Sequence, residues 1–381
     1  MPTLRDKTIL IVSPQAWGKM HVSKHHYAIE LAKYGNKVYY LNPPVTDKTK
    51  RPAEQVVIEA SADTPGLFII SHYLKFPYNI KFHLPGLFHL LMRPHVNTIA
   101  KKIGYPIDIV WSFDLGCLYP FRLFPGKPFN IFHPVDEPLN QAAIDSANGA
   151  NIIFSVTTEI LDKYRRYNLP SHFINHGVAN SFLDLPQTTR PDDDPIRVGL
   201  SGNFLRADID RPTLLRIVME NPSVIFECWG SYRMDQANIA GSDDEDTRNF
   251  IGALRTSPNV RLHGAIPAAQ LAREMTGVDI FLICYDIKKD QSGGTNYHKI
   301  MEYLSIGNVI VSNNVTTYKG KPDLLTMTPG REDNTGLPEL FAEVVASLSH
   351  YNSPGLRQKR IDFAHDNTYR KQVIRIEELI K

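Results

Sequence analysis

Short runs of β-favouring residues alternate with helical patterns along the chain, and this alternation is what most narrows its fold. A parallel neighbour has to be reached by a crossover, so strand-like runs separated by helix-length stretches read as parallel sheets covered by helices. In the first half the runs are Thr8–Ser13, Lys37–Asn42, Leu67–Ser71, Ile107–Ser112, Phe129–His133, Ile152–Val156 and His172–Asn175. Between the first two, Tyr27, Ile29, Leu31 and Ala32 fall at helical spacing and Gly35-Asn36 supplies a stop, which makes one βαβ unit. A second series, Arg197–Ser201, Val224–Trp229, Val260–His263, Ile280–Cys284 and Val309–Ser312, follows Asp184–Pro195, whose Pro, Thr and consecutive Asp residues read as an exposed linker. At 381 residues the chain exceeds the roughly 250 at which a single core stops growing. Two Rossmann-like α/β domains are therefore expected, residues 1–184 and 196–361, facing across a cleft, with ligand beyond the carboxyl ends of the strands.

The totals exclude several classes. Lys and Arg number 42 against 40 Asp and Glu, a net charge of +2 that exerts no overall pull toward nucleic acid, and no nucleic-acid-binding module is recognisable. Met1–Asp6 lacks the charged start of a secretion signal, and no apolar stretch reaches the roughly 20 residues of a membrane helix. Cys117, Cys228 and Cys284 lie far apart with no CxxC spacing and read as buried thiols of a reducing cytoplasm. One local feature stands out. From Thr64 to Ile107 there is no Asp or Glu, while Lys75, Lys81, Arg93, Lys101 and Lys102 occur among Tyr73, Phe76, Tyr78, Phe82, Leu84, Leu87, Phe88, Leu90 and Leu91. That mixture suits contact of residues 72–105 with an anionic membrane surface, a peripheral location on the inner face of the cytoplasmic membrane; a core helix with a solvated rim is the alternative.

The stretch Ser292-Gly-Gly-Thr-Asn-Tyr-His-Lys-Ile-Met-Glu302-Tyr-Leu-Ser-Ile-Gly307-Asn-Val-Ile-Val-Ser312 resembles the donor-binding segment of GT-B glycosyltransferases: a loop, then Lys-hydrophobic-x-Glu-Tyr-Leu, Gly and a hydrophobic strand. Ser23–Pro44 is similar to the family's first helix and second strand, Asn175–Phe182 to its Pro-Asn-Gly-Val segment, and Val198–Asn203 to the opening of its second domain. Residues 362–381 resemble its last helix, which returns to the first domain. Transferases of teichuronic, capsular and exopolysaccharide synthesis look nearest, including the xanthan-type glucuronosyltransferases. The resemblance implies transfer of a sugar from a nucleotide-diphosphate donor, UDP- or GDP-linked, to a saccharide or lipid-linked acceptor, with no metal and no further cofactor.

A metal-free enzyme must meet the growing charge of the leaving diphosphate with amides and cations. Gly293, Gly294 and Thr295 can bring backbone N–H groups close to phosphate, and the helix that follows offers its first-turn donors. Asn296 and Tyr297 complete that loop, Lys299 adds a point charge, and Glu302, on the same helix face, would accept hydrogen bonds from the ribose as in the family. Gly202, Asn203 and Arg206 follow the first strand of the second half, where a Rossmann fold binds phosphate. The base would fall near His263 and Ile266. In the first domain Asp136 occupies the post-strand position of the catalytic carboxylate in the xanthan-type enzymes and would take the acceptor's proton; Asp114 is a second candidate, and the alternative role for His133 is a hydrogen bond to the donor sugar. Gly18, after the first strand, would allow close approach to the phosphates. Retaining relatives carry Glu eight residues before the position of Glu302, and Gly294 stands there, which favours inversion with Asp136 as base.

Two other functions fit the same architecture: a sugar-nucleotide 2-epimerase, which needs no acceptor, and a non-catalytic sugar-nucleotide-binding subunit. An ordinary NAD enzyme is disfavoured, because no Gly-rich fingerprint with an acidic residue about 20 positions later follows the first strand.

Overall fold

The computed structural model describes residues 3–18, 20–186, 194–236, 241–289 and 295–381. The chain forms two compact units, Met1–His176 with Tyr369–Lys381, and Gly177–Thr368. The divisions at 176 and 369 fall eight residues before and seven residues after the expected 184 and 362. Helix Pro354–Asp366 thus belongs wholly to the second unit, while helix Tyr369–Leu379 belongs to the first.

The first unit is built on an eight-stranded sheet: β1 (Thr8–Val12), β2 (Lys37–Leu41), β3 (Val56–Ala60), β4 (Leu67–His72), β5 (Ile109–Ser112), β6 (Phe129–Phe132), β7 (Ile152–Ser155) and β8 (Ser171–Phe173), in the order β3-β4-β2-β1-β5-β6-β7-β8. All neighbours are parallel except β3, an antiparallel edge paired with β4. β1 is buried along its whole length, as a strand covered on both faces must be, which is why it reads as one apolar run. Its alternate residues feed two cores: Leu10 and Val12 pack with Phe88, Met92 and Val96, while Ile9 and Ile11 pack with Tyr27, Leu31 and Val373. The second core holds helix Tyr369–Leu379 in place, with Tyr34 Oη donating to Glu377 at 2.6 Å and Tyr369 Oη to Ser23 Oγ at 3.2 Å.

The second unit contains β9 (Arg197–Ser201), β10 (Ile225–Trp229), β11 (Val260–Gly264), β12 (Ile280–Ile283), β13 (Val309–Ser312) and β14 (Thr326–Met327), all parallel, in the order β11-β10-β9-β12-β13-β14. Chain order reverses between β9 and β12, the Rossmann switch point beyond whose carboxyl ends ligands bind. Helices cover both faces: Arg211–Glu220 and Leu337–Ala346 pack on one, Ala268–Met275 and Lys299–Ile306 on the other. The cysteines are free thiols, Cys228 and Cys284 buried and Cys117 half-buried.

Candidate functional site

In the second unit three strand ends turn on glycine. Gly202, Gly230 and Gly264 directly follow or end β9, β10 and β11, with φ of +146°, +128° and +78°. Gly202 N donates to Trp229 O at 2.9 Å and Gly230 N to Gly264 O at 2.7 Å, which draws the backbones together. A Cβ on Gly230 would lie 1.7 Å from the Gly202 carbonyl oxygen, and one on Gly202 would lie 2.7 Å from Lys299 Nζ. Gly230 is therefore glycine for space as well as conformation, and Gly202 for conformation, since the atom its Cβ would meet is the mobile end of a lysine side chain. Gly230 was not among the sequence-derived candidates, although its place after a strand matches that of Gly202.

Lys299 opens helix Lys299–Ile306 and reaches the switch point. Its ammonium donates to Ser201 O and, at 2.8 Å, to Tyr285 Oη. Ser201 N donates to Tyr303 Oη at 2.8 Å, and the Tyr303 ring stacks on Phe281 at 4.2 Å. Ser201, Tyr285 and Lys299 line a small cavity together with Gly202, Asn203, Ile283 and Cys284. Burial works against the Lys299 charge, but Tyr285, Tyr303 and Glu302 together hold its pKa above the ordinary lysine value. Glu302, three residues on, is half-buried and its carboxylate makes no hydrogen bond among the described residues. Burial raises its pKa to about 7 against the opposing pull of Lys299. The corner thus offers a fixed cation beside a carboxylate with open acceptor sites, suited to a phosphate and neighbouring hydroxyls.

The other donor-side candidates divide. Gly293 and Gly294 lie outside the described residues. Thr295 is a correction: its amide donates to Thr316 Oγ1 at 2.8 Å and its hydroxyl accepts from Arg331 at 3.0 Å, so it braces the loop and has no amide to offer a phosphate. Asn296 is half-buried, and the Tyr297 ring packs 4.7 Å from that of Tyr285, continuing the wall of the corner. Asn203 Oδ1 accepts from Leu205 N at 3.0 Å and closes the turn after β9. Arg206 is exposed and pairs with Asp208 through Nε at 2.8 Å. His263 Nε2 donates to buried Glu227 at 2.7 Å and the ring stacks on Trp229, lining a cavity of about 420 Å³ with Arg197 and Arg261. Ile266 packs against the core beside helix Ala268–Met275.

In the first unit the candidates follow parallel strands. Asp114, after β5, accepts from Gly116 N at 2.7 Å, Leu118 N at 2.6 Å and Tyr119 N at 3.3 Å. This is a second correction: the carboxylate organises its own turn and its oxygens are engaged. Asp136, after β6, is exposed and makes no hydrogen bond or ion pair among the described residues. His133 is fully buried, and burial, with His176 and Lys24, lowers its pKa to about 3, so the ring is neutral. Trp111 Nε1 donates to its Nδ1 at 3.3 Å, which puts the proton on Nε2, an atom that is buried with no partner. Gly18 lacks a positive φ and a Cβ there would meet nothing within 4 Å, so the backbone imposes no need for glycine.

No protein-family model matches the sequence, and no curated protein matches it. The architecture does find counterparts among solved structures. Sucrose-phosphate synthase from Thermosynechococcus elongatus superposes with a TM-score of 0.70 at 13% identity, covering 98% of both chains. HepE from Anabaena, solved with UDP and glucose, gives 0.65 at 13% identity over 99% of this chain and 98% of that one. A UDP-forming trehalose-phosphate synthase from Burkholderia xenovorans, solved with glucose-6-phosphate, gives 0.67 at 12% identity over 98% and 100%. This is the GT-B fold. Both units have the Rossmann strand order, with the switch point between β1 and β5 in the first and between β9 and β12 in the second; the second holds the Lys299–Glu302 corner, and the first carries the extra antiparallel edge strand. Among the described residues no helix is long and apolar enough to cross a membrane.

Proposed function

We propose that the protein is a glycosyltransferase that moves a sugar from a nucleotide-diphosphate donor, a UDP- or GDP-sugar, to a saccharide or lipid-linked acceptor in cell-surface polysaccharide synthesis, without a metal. The observation that carries this reading is the arrangement of Gly202, Lys299 and Glu302 at the β9/β12 switch point. The diphosphate would lie over Gly202, where no side chain obstructs it, with Lys299 facing the charge that grows as the glycosidic bond breaks. Glu302 would accept hydrogen bonds from the ribose hydroxyls. Asp136 would take the proton of the acceptor hydroxyl as that oxygen bonds to the anomeric carbon and the nucleoside diphosphate departs, a single displacement that inverts configuration. Its support is that, of the two candidate carboxylates, Asp136 alone has its oxygens unengaged.

A membrane-facing role for residues 72–105 is part of the same reading. Phe82, Leu84, Leu87 and Leu90 are exposed, at 70%, 58%, 43% and 64%, and Lys75, Arg93, Lys101 and Lys102 are exposed in the same segment. Phe88, by contrast, is buried in the core and takes no part. Apolar groups with cations at their flanks suit the cytoplasmic headgroup region. Retention on liposomes of anionic lipid that weakens with salt is expected; no retention at any salt would remove this part.

The functional test is a thermal-shift screen of UDP, GDP, dTDP, ADP and CMP with EDTA present, repeated on Glu302→Ala. A nucleotide at 100 times its dissociation constant adds about 2.7 kcal/mol of stability. A shift with one nucleotide that the variant loses supports the donor site, and no shift with any of them would sink it. Donor turnover without acceptor would instead identify an epimerase, and binding with no turnover a non-catalytic subunit.

A further inference from the structure

The first unit holds an ammonium that its own fold does not satisfy. Lys24 is 3% exposed, yet it forms no hydrogen bond or ion pair among the described residues. Lysine is almost never buried without a partner, because removing its charge from water is costly. Burial accordingly lowers its pKa, opposed only by the charge of Asp136. Lys24 stands at the second position of helix Ser23–Lys33, directly after the β1 loop. That helix has no side-chain cap at Val22 and no acidic residue in its first turn, so the positive end of its dipole is not neutralised locally. The neighbouring His133 supplies a second observation, independent of the helix: its Nε2–H is buried with no acceptor. The two share a corner, since Tyr27, one turn beyond Lys24, packs 5.2 Å from the His133 ring. Ser23 Oγ lies 3.2 Å from His176 Nδ1 on the same side.

We propose that this corner, formed by the start of helix Ser23–Lys33 and the segment His133–Asp136, is an oxyanion site that receives a phosphate or carboxylate of an acidic acceptor. Lys24 supplies the charge and His133 Nε2–H a neutral donor. The assignment to an acceptor rests on the reading of the first unit as the acceptor-binding one; the same oxyanion chemistry is also offered by the donor's diphosphate. Asp136 opposes a free anion here and weakens the binding of inorganic phosphate.

The test is calorimetric titration of the full chain with inorganic phosphate at constant ionic strength, alone and with saturating UDP, on the parent, Lys24→Met and Asp136→Asn. Phosphate should bind the parent, at least tenfold more weakly to Lys24→Met, and severalfold more tightly to Asp136→Asn. Lys24→Met should melt no lower than the parent, because a buried charge without a partner has been removed; a clearly lower melting temperature would identify Lys24 as structural and overturn the site. Lys24→Gln, a polar neutral side chain, should show the same loss of phosphate. Phosphate that still binds beside saturating UDP supports an acidic acceptor, whereas phosphate displaced by UDP supports the oxyanion site and gives it to the donor. Equal phosphate affinity in parent and Lys24→Met overturns the proposal. Lys24-dependent phosphate binding with no UDP binding would leave the oxyanion site standing while the glycosyltransferase reading fell.

Discussion

One added methyl group at Gly230 should disable the corner proposed to hold the donor. Its Cβ would stand 1.7 Å from the Gly202 carbonyl oxygen, and the residue has φ of +128°. An ordinary C···O contact is about 3.3 Å, so the ends of β9 and β10 would have to part by about 1.6 Å. That movement breaks the 2.9 Å bond from Gly202 N to Trp229 O, which joins the two strand ends. A side chain at such a φ costs about 1–3 kcal/mol, and overpacking a filled site about 1–3 kcal/mol more. The sum, about 2–6 kcal/mol, lowers the melting temperature of a unit this size by roughly 4–24 °C. Because Lys299 donates to Ser201 O, the cation moves with the strand end, and a misplacement of about 1 Å costs on the order of 100-fold in productive positioning. Differential scanning fluorimetry and UDP calorimetry on Gly230→Ala read both effects. Gly18→Ala is the control, with nothing within 4 Å of the added methyl and a change within about 0.5 kcal/mol. If Gly230→Ala melts like the parent and binds UDP equally, the reasoning from backbone contact is wrong.

Other outcomes follow from named groups. Asp136→Asn should leave the UDP-induced shift intact and reduce turnover by about 100-fold or more; Asp114→Asn should instead lower the melting temperature, because one of the two oxygens that accept the three turn amides becomes an NH2 that cannot accept. Glu302, raised to about 7 by burial, keeps a proton between its ordinary 4.5 and 7 that the unfolded chain has released, so its contribution to stability is lost as pH rises through that window. Melting curves from pH 4.5 to 7.5 should show this loss in the parent and not in Glu302→Gln; identical pH profiles would contradict it. Arg360 is 1% exposed and donates to the carbonyls of Asp323, Gly307 and Tyr351 at 3.1, 3.0 and 2.9 Å. Arg360→Met strands all three and should destabilise the second unit by about 3 kcal/mol or more, seen as a fall in urea midpoint.

The central parallel strands were legible because burial on both faces makes them read as continuous apolar runs, as Thr8–Val12 and Val309–Ser312 do. β3 escaped notice because it is an edge whose Glu59 and Ala60 face solvent, and β14 because two residues leave no pattern. In the corner at the β9/β12 switch point, Lys299 and Glu302 were singled out by the resemblance of their segment, and Gly202 by its place after a strand. Tyr285 and Tyr303 could not be, since their roles exist only once β9, β12 and the Lys299 helix come together. Thr295 misled for a related reason: its amide looks available in a glycine-rich loop until Thr316, 21 residues away, bonds to it. Lys24 looked like any charge at a helix start, and nothing local reports that the fold would bury it.

Hydrogen–deuterium exchange of the full chain with and without UDP, in EDTA, tests most directly whether the nucleotide sits at the carboxyl ends of β9 and β12. Slowed exchange is expected at residues 201–206, 230–231 and 297–303, and its loss in Lys299→Met. Protection confined to the first unit, or unchanged protection in Lys299→Met, would contradict a donor site built on Gly202, Lys299 and Glu302.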